Sequence, residues 1–423
     1  MNRRWPTGLA LALLAWYASD SLRHRREGGR GYDVGEAPDV TSEGFLRATE
    51  ALTSAPISRG NEVELLVNGD EIFPAMLEAI EGAERTLNML TYIYWTGDIA
   101  EEVAQAVCRK AKGGVRCNVL LDAVGAAKME GTLLGEMAAA GVSVVRFRPP
   151  KPYAVRRLAN RTHRRILVAD GRVGMTGGVG IASEWTGNAQ DPDHWRDTHV
   201  RVQGPVVRAL QGAFAENWLE ATGEVLAGEE YLPELEEVGD GAAMQVIRSQ
   251  AGVGDTNIET LYYLVLASAQ RSVELTSAYF APRAAFVDAL ADAAKRGVSV
   301  RVVVPGPYID KEVVRQAGRS EYGELLEAGV RIFEYQPTML HAKTLCVDRA
   351  WSSVGTVNFD NRSFQLNDEV TLCVQSDEFA AKLGGAFEAD VERSREIDLD
   401  AWRRRPITER LQETGAKLLR REL

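Results

Sequence analysis

The chain has 423 residues, 45% of them hydrophobic and 26% charged, a globular balance that excludes wholesale disorder and allows two or three domains. Asp and Glu number 60 against 49 Lys and Arg, so the formal net charge is -11, which argues against a groove tracking a nucleic-acid backbone. Cys108, Cys117, Cys346 and Cys373 form no C-x-x-C pair and no zinc spacing, and read as buried free thiols.

In chain order, the first feature is an apolar run. After MNRRWPTG comes LALALLAWYA, Leu9 to Ala18, ten apolar residues without a break. Counted from Trp5 the stretch has 14 residues. As a helix that is roughly 21 Å at ~1.5 Å per residue, short of the ~30 Å hydrocarbon core of a bilayer. Arg3 and Arg4 precede it, and Arg23, Arg25, Arg26 and Arg30 follow. Residues 1–26 therefore read as a signal-like segment or an uncleaved short anchor, with a frayed helix as the plain alternative. Basic residues on both flanks leave only a slight lean toward a cytoplasmic body. Residues 27–59, rich in Gly, Pro, Ser and Glu, read as a linker.

The body then repeats itself. Arg85-TLNMLTYIYW predicts a strand, IAEEVAQAVCRKAKGG a helix stopped at Gly113-Gly114, and VRCNVLLD a second strand. In the second half Arg271-SVELTSAYF, AFVDALADAAKRG and VSVRVVVP follow the same order, with Gly297 as the helix stop. Each half adds a helix closing on Ala-Gly-Val, at Ala140 and at Ala328, then a strand ending near Pro149 or Pro337. Alternating strands and helices predict an α/β architecture with a largely parallel sheet. The duplication predicts one site between two copies, 60–227 and 242–396. The acidic stretch 228–241 reads as the linker between them, and 397–423 as a basic tail.

Two of the five histidines share one frame. His163 is followed by Arg165 at +2, Asp170 at +7 and Gly177 at +14; His341 is followed by Lys343, Asp348 and Gly355 at the same offsets. On a strand, histidine and the +2 cation project to one face. Two such strands brought together present two imidazoles and two cations to one pocket, which suits a phosphodiester. One imidazole attacks phosphorus and carries the phosphoryl group, the other moves the proton, and the cations offset charge on the phosphoryl oxygens. No metal or other cofactor is required.

These residues resemble the phospholipase D superfamily, whose signature H-x-K-x4-D-x6-G-[GS]-x-N occurs twice. Within it the chain is similar to the bacterial cardiolipin synthase branch, on Trp195-RDTHVRVQGP, Glu334-YQPTMLHAK, Ser353-VGTVNFDNRSFQLNDEV and Trp402-RRRP. The resemblance runs from about Val63 to Pro406. It implies a duplicated phospholipase D-like α/β fold: two mixed or mostly parallel sheets flanked by helices, related by a pseudo-twofold axis. It implies His163 as nucleophile and His341 as general acid and base, although the residues alone leave these roles exchangeable. Arg165, Lys343, Thr356 and Asn358 would bind phosphate, Asp197 and Glu369 would orient the histidines, and Asp170 and Asp348 would be mostly structural. A surface salt bridge is the plain alternative for Asp197. In the first motif Arg165 stands in place of lysine, Gly178 stands at the +15 position, and Gly180 stands where asparagine is expected. A working but slower or more selective site is the expectation.

The resemblance implies a membrane-associated phosphatidyltransferase that joins two phosphatidylglycerols into cardiolipin and glycerol, at a bacterial cell membrane. A phospholipase D hydrolase making phosphatidic acid, a nuclease with the same motif, and a silent membrane protein are the alternatives. His194 and His199 lack a third ligand, so no metal site is expected. The basic stretch Lys151-PYAVRRLANRTHRR reads as a solvated loop or a contact for anionic head groups. The tail reads as a solvated or membrane-surface helix. Trp185, Trp195 and Trp218 belong to the core or the pocket rim.

Overall fold

The apolar runs of both copies pair as strands, and the helices between them cover the sheet. The computed structural model describes residues 34–150, 160–238, 241–251 and 255–417. The first half holds α1 (Glu43–Thr53), β1 (Ser58–Val67), α2 (Gly69–Gly82), β2 (Thr86–Thr91), α3 (Asp98–Lys112), β3 (Arg116–Asp122), α4 (Gly131–Ala139) and β4 (Ser143–Phe147). It continues with β5 (Arg161–Thr162), β6 (Ile166–Ala169), β7 (Val173–Gly177), β8 (Thr198–Gln203) and α5 (Val207–Thr222). The second half holds β9 (Ala242–Ser249), α6 (Asn257–Ser268), β10 (Ser272–Ser277), β11 (Phe280–Ala281), α7 (Ala284–Lys295), β12 (Ser299–Pro305), α8 (Glu312–Arg319), α9 (Tyr322–Glu327) and β13 (Arg331–Tyr335). Then come β14 (Lys343–Val347), β15 (Trp351–Gly355), β16 (Phe359–Asp360), β17 (Asn367–Gln375), α10 (Asp377–Glu392), β18 (Ser394–Glu396), α11 (Leu399–Arg403) and α12 (Ile407–Lys417).

Among the described residues the sheets of the two halves join in one mixed sheet of 16 strands, and β11 pairs separately with β16. Outward from β1 the order is β8, β7, β6, β2, β3, β4; outward from β9 it is β17, β15, β14, β10, β12, β13. Corresponding elements thus mirror each other about the antiparallel β1–β9 pair, the pseudo-twofold expected of a duplication. Within each half of the large sheet, parallel pairing is confined to β2–β3–β4 and β10–β12–β13, where helical crossovers connect the strands; the separate β11–β16 pair is also parallel. Every residue of β2 is buried, as a strand covered on both faces requires. The strands following the histidines, β6 and β14, run antiparallel to their neighbours.

Val200, Leu210 and Phe214 of the first half share a buried cluster with Val246, Val354 and Val370 of the second. At ~1.5–3 kcal/mol for each large apolar side chain fully buried, such a shared core ties the halves together rather than hinging them. Trp218 belongs to this cluster, stacked on Phe214. Cys117, Cys346 and Cys373 are buried free thiols, while Cys108 is half-buried.

Three segments read as connectors or tail are more ordered than composition suggests. Within 27–59, α1 is capped by Ser42, whose hydroxyl accepts from the Phe45 amide at 3.1 Å. Phe45 is fully buried edge-on to Trp351. The acidic segment straps the first half: Thr86 donates to the Glu230 carbonyl at 2.8 Å, and Tyr231 is buried. In the tail, Trp402 and Glu413 are buried, and Arg319 and Arg405 both pair with Glu413, so α11 and α12 fold back on the second half rather than lying solvated. Their apolar and ionic partners sit far away in sequence, which a composition reading misses. The apolar run in 1–26 and the first nine residues of the basic stretch, 151–159, lie outside the described residues.

Candidate active site

His163 directly follows β5, and His341 stands two residues before β14. The His163 amide donates to the Asp368 carbonyl at 2.9 Å, and the His341 amide donates to the Arg196 carbonyl at 2.7 Å. In both cases the next residue after the accepting carbonyl is the acid. Glu369 therefore reaches His163 Nδ1, with both carboxylate oxygens at 3.0 Å, and Asp197 Oδ2 lies 2.7 Å from His341 Nδ1. Each half's histidine is oriented by the other half's carboxylate. A carboxylate only accepts, so each ring donates from Nδ1 and keeps Nε2 for chemistry.

The acids are held differently. The Trp185 indole donates to Asp197 Oδ2 and the Thr198 amide to Oδ1, both at 2.8 Å. Glu369 receives three side-chain donors: Ser363 Oγ at 2.9 Å, Asn367 Nδ2 at 3.2 Å, and the Thr356 hydroxyl. The expectation that Thr356 binds phosphate gives way here, because its one proton goes to the carboxylate. Asn358 is buried with its side-chain oxygen unpartnered.

The cations converge on both rings. Lys343 Nζ lies 3.0 and 3.1 Å from the two His341 ring nitrogens and donates to the His341 carbonyl. Arg165 donates one Nη1 bond, to the His163 carbonyl at 3.0 Å, while its Nε and Nη2 have no protein partner although the side chain is buried. A buried donor without an acceptor costs about 1–3 kcal/mol, so these N–H groups are natural ligands for an anion. Burial holds His163 well below the usual imidazole range, with Arg165 and Lys343 adding to it. Burial and Lys343 lower His341 to about 3 against the pull of Asp197. Burial pushes Asp197 up, but His341 and Lys343 outweigh it and hold the carboxyl at about 2. Glu369 is different: burial pushes it to about 7 against its three donors. Lys343 is lowered by burial to about 7.

Aromatic rings wall the pocket. Trp185, Trp195 and Tyr279 stand 5.1, 5.6 and 6.3 Å from His341, and Tyr92 stands 5.3 Å from His163, centroid to centroid. Asp170 and Asp348 bind backbone instead. Each accepts three consecutive amides entering β2 or β10, from Glu84 to Thr86 and from Gln270 to Ser272, at 2.7–2.9 Å. Gly177 and Gly355 lie where β7 and β15 crowd the backbone of β8 and β17. His194 pairs with Asp191 at 2.7 Å, and His199 is buried near Asp197, which pulls against the burial that lowers it to about 4. Among the described residues no group of three His, Cys, Asp or Glu side chains is placed to hold a metal.

Residues 76–218 and 263–391 match the family described as cardiolipin synthase, PLD-like domain. A cardiolipin synthase of Geobacillus sp. (strain WCH70) is 36% identical over 377 residues, covering 89% of this chain and 75% of that one. The chain belongs to the cardiolipin synthase family of the phospholipase D superfamily. A cardiolipin synthase of Alkalihalophilus pseudofirmus is likewise 36% identical over 378 residues, with the same coverage. In fold it is similar to the phosphatidylserine synthase of Haemophilus influenzae, with TM-score 0.66, 13% identity, and 89% and 99% of the two chains covered. It is a phosphatidyltransferase of that superfamily.

Gly178, which fits the signature's Gly-or-Ser position, and Gly180, which replaces its asparagine, both have packing reasons. A Cβ on Gly178 would lie 2.0 Å from Asp197 Oδ1, so a side chain there displaces the acid that orients His341. A Cβ on Gly180 would lie 2.9 Å from Ile93 and 3.1 Å from Trp185, leaving no space for asparagine. Sequence reasoning missed Ser363, Asn367 and Arg164. Arg164, fully buried, donates to the Glu369 carbonyl at 3.2 Å, the Ala213 carbonyl at 2.7 Å and the Ser249 carbonyl at 2.8 Å, clamping Glu369's strand onto α5. It occupies the free position between histidine and cation in the superfamily signature, so no sequence signal marks it.

Proposed function

We propose that this enzyme transfers a phosphatidyl group from one phosphatidylglycerol to a second, forming cardiolipin and releasing glycerol, with His163 as nucleophile. His163 Nε2 attacks phosphorus, the bond to the departing glycerol oxygen breaks, and His341 protonates that oxygen. The second lipid's hydroxyl then gives its proton to His341, and its oxygen displaces His163 from phosphorus. Arg165 and Lys343 bind the non-bridging oxygens, with Asn358 alongside.

The observation that carries this reading is the buried Arg165 guanidinium, with two unpartnered donors, acting on both cross-oriented histidines in a chain whose relatives are cardiolipin synthases. The unequal acids support the order of roles. Asp197, held ionised, stabilises an imidazolium, as a general acid and base requires. Glu369, whose charge burial disfavours, orients His163 while leaving it neutral for attack. The arriving phosphodiester offsets Lys343 and Arg165, and so raises the proton affinity of His341.

Its substrates would be anionic phospholipids, and its place the surface of a bacterial cell membrane. Among the described residues no helix is long and apolar enough to cross a membrane. The test is product analysis. Incubated with phosphatidylglycerol in mixed micelles, the protein yields cardiolipin and glycerol by mass spectrometry, and its His341→Ala variant does not. Phosphatidic acid as sole product means that water is the acceptor and the synthase reading is wrong.

A further inference from the structure

The loops leaving β3 and β12 each carry a lysine six residues past the strand, Lys128 and Lys311. Both are exposed. Each lies over a ring: Lys128 Nζ is 3.9 Å from the Trp95 centroid, and Lys311 Nζ is 4.7 Å from that of Tyr279. Their neighbourhoods differ. Tyr279 itself walls His341, 6.3 Å from its ring, whereas Trp95 reaches His341 only through Trp185. The carboxylate adjacent to Lys311, Asp310, is used by Tyr279, whose hydroxyl sits 2.8 Å from both its oxygens. Lys311 forms no ion pair among the described residues, and its charge is among those that lower His163.

This placement bears on the acceptor, given the reading proposed above. His341 handles the proton of both the leaving and the incoming hydroxyl, so the incoming head group occupies the space bounded by Trp185, Trp195 and Tyr279. A phosphatidylglycerol acceptor differs from water or free glycerol by a phosphate one glycerol length behind its attacking hydroxyl. We propose that Lys311, held over Tyr279 at the edge of that space, binds the phosphate of the acceptor lipid and so favours transfer to an anionic lipid over transfer to water or a free alcohol. Tyr279 and Asp310 position it: the ring supports the ammonium, and the carboxylate fixes the ring.

The experiment compares two reactions of the full-length enzyme in phosphatidylglycerol micelles: cardiolipin formation, and exchange of isotope-labelled glycerol into phosphatidylglycerol. Both use the same donor and histidines, but the second acceptor has no phosphate. Lys311→Met lowers the ratio of cardiolipin formation to exchange by about ten-fold, the scale of one charge-assisted hydrogen bond. Lys311→Arg restores most of it. An unchanged ratio in Lys311→Met refutes the assignment. So does an equal fall in Lys128→Met, which would mark general attraction of an anionic surface. A wild-type enzyme that exchanges glycerol or releases phosphatidic acid but makes no cardiolipin refutes the phosphatidylglycerol-acceptor reading itself, and the role of Lys311 with it.

Discussion

The two histidine–carboxylate pairs occupy corresponding places in a duplicated fold, yet they are built differently. His341–Asp197 uses the shorter acid, held by an indole and a backbone amide, with Gly178 leaving room for its oxygen. His163–Glu369 uses the longer acid, held by two hydroxyls and an amide, and Thr356 stands where the other half has Gly178. The outcome is one acid held at about 2 and one pushed to about 7. Duplication preserved the backbone register that crosses the acids between halves, while the side chains around them diverged, which fits the proposed division into a proton carrier and a nucleophile.

The largest effects come from the rings themselves. His163→Ala and His341→Ala each lower turnover of phosphatidylglycerol by about 10²–10⁴-fold or more, the range of acid–base catalysis. They differ with a donor whose leaving group needs no proton: His341→Ala still accumulates label on the protein, and His163→Ala does not. Label in His163→Ala alone reverses the two roles.

Next come the acids. Asp197→Asn removes a full charge from beside a developing imidazolium and lowers kcat about 10²-fold, whereas Glu369→Gln, replacing an acid whose charge burial disfavours, costs roughly ten-fold. Equal losses would erase the distinction between the pairs. Gly178→Ala pushes Asp197 off His341 and lowers kcat about ten-fold with little change in KM. A loss confined to KM would show that the glycine serves binding instead.

The pH dependence is the subtlest readout. Lys343 is a cation below about 7 in the free enzyme, so kcat/KM falls as pH rises through that value, and Lys343→Arg moves the fall to higher pH. For stability the sign follows the proton count. The raised Glu369 binds its proton more tightly folded than unfolded, so its contribution is full below about 4.5 and is lost as pH rises through about 7. Glu369→Gln removes that slope from the melting temperature measured against pH. A slope of opposite sign would place Glu369 among the ionised acids.

Much of the chemistry was legible in the chain because motif residues carry fixed offsets. The strand following each histidine follows from local geometry, and the aspartates and glycines stand at fixed offsets, although the amides and strands they meet lie far along the chain. Arg164 and Ser363 were not legible, since their partners lie in the other half or across an irregular turn, and Asn367, two residues from Glu369 on β17, stands at no motif offset that marks it. The order within 27–59 and in the tail was hidden for a similar reason: Phe45 meets Trp351, and Glu413 meets Arg319, over separations that no local pattern reports.

By itself the sequence determined the duplication, the order of strands and helices, and the identity of two histidines, two cations and two acids. Periodicity and spacing are properties of a chain. Only the tertiary structure decided which acid serves which histidine, that Thr356 supports Glu369, and that burial raises Glu369 while its neighbours hold Asp197 low. Those depend on strands meeting across the junction of the halves and on the loss of water there, and burial, more than residue type, sets what a carboxylate does.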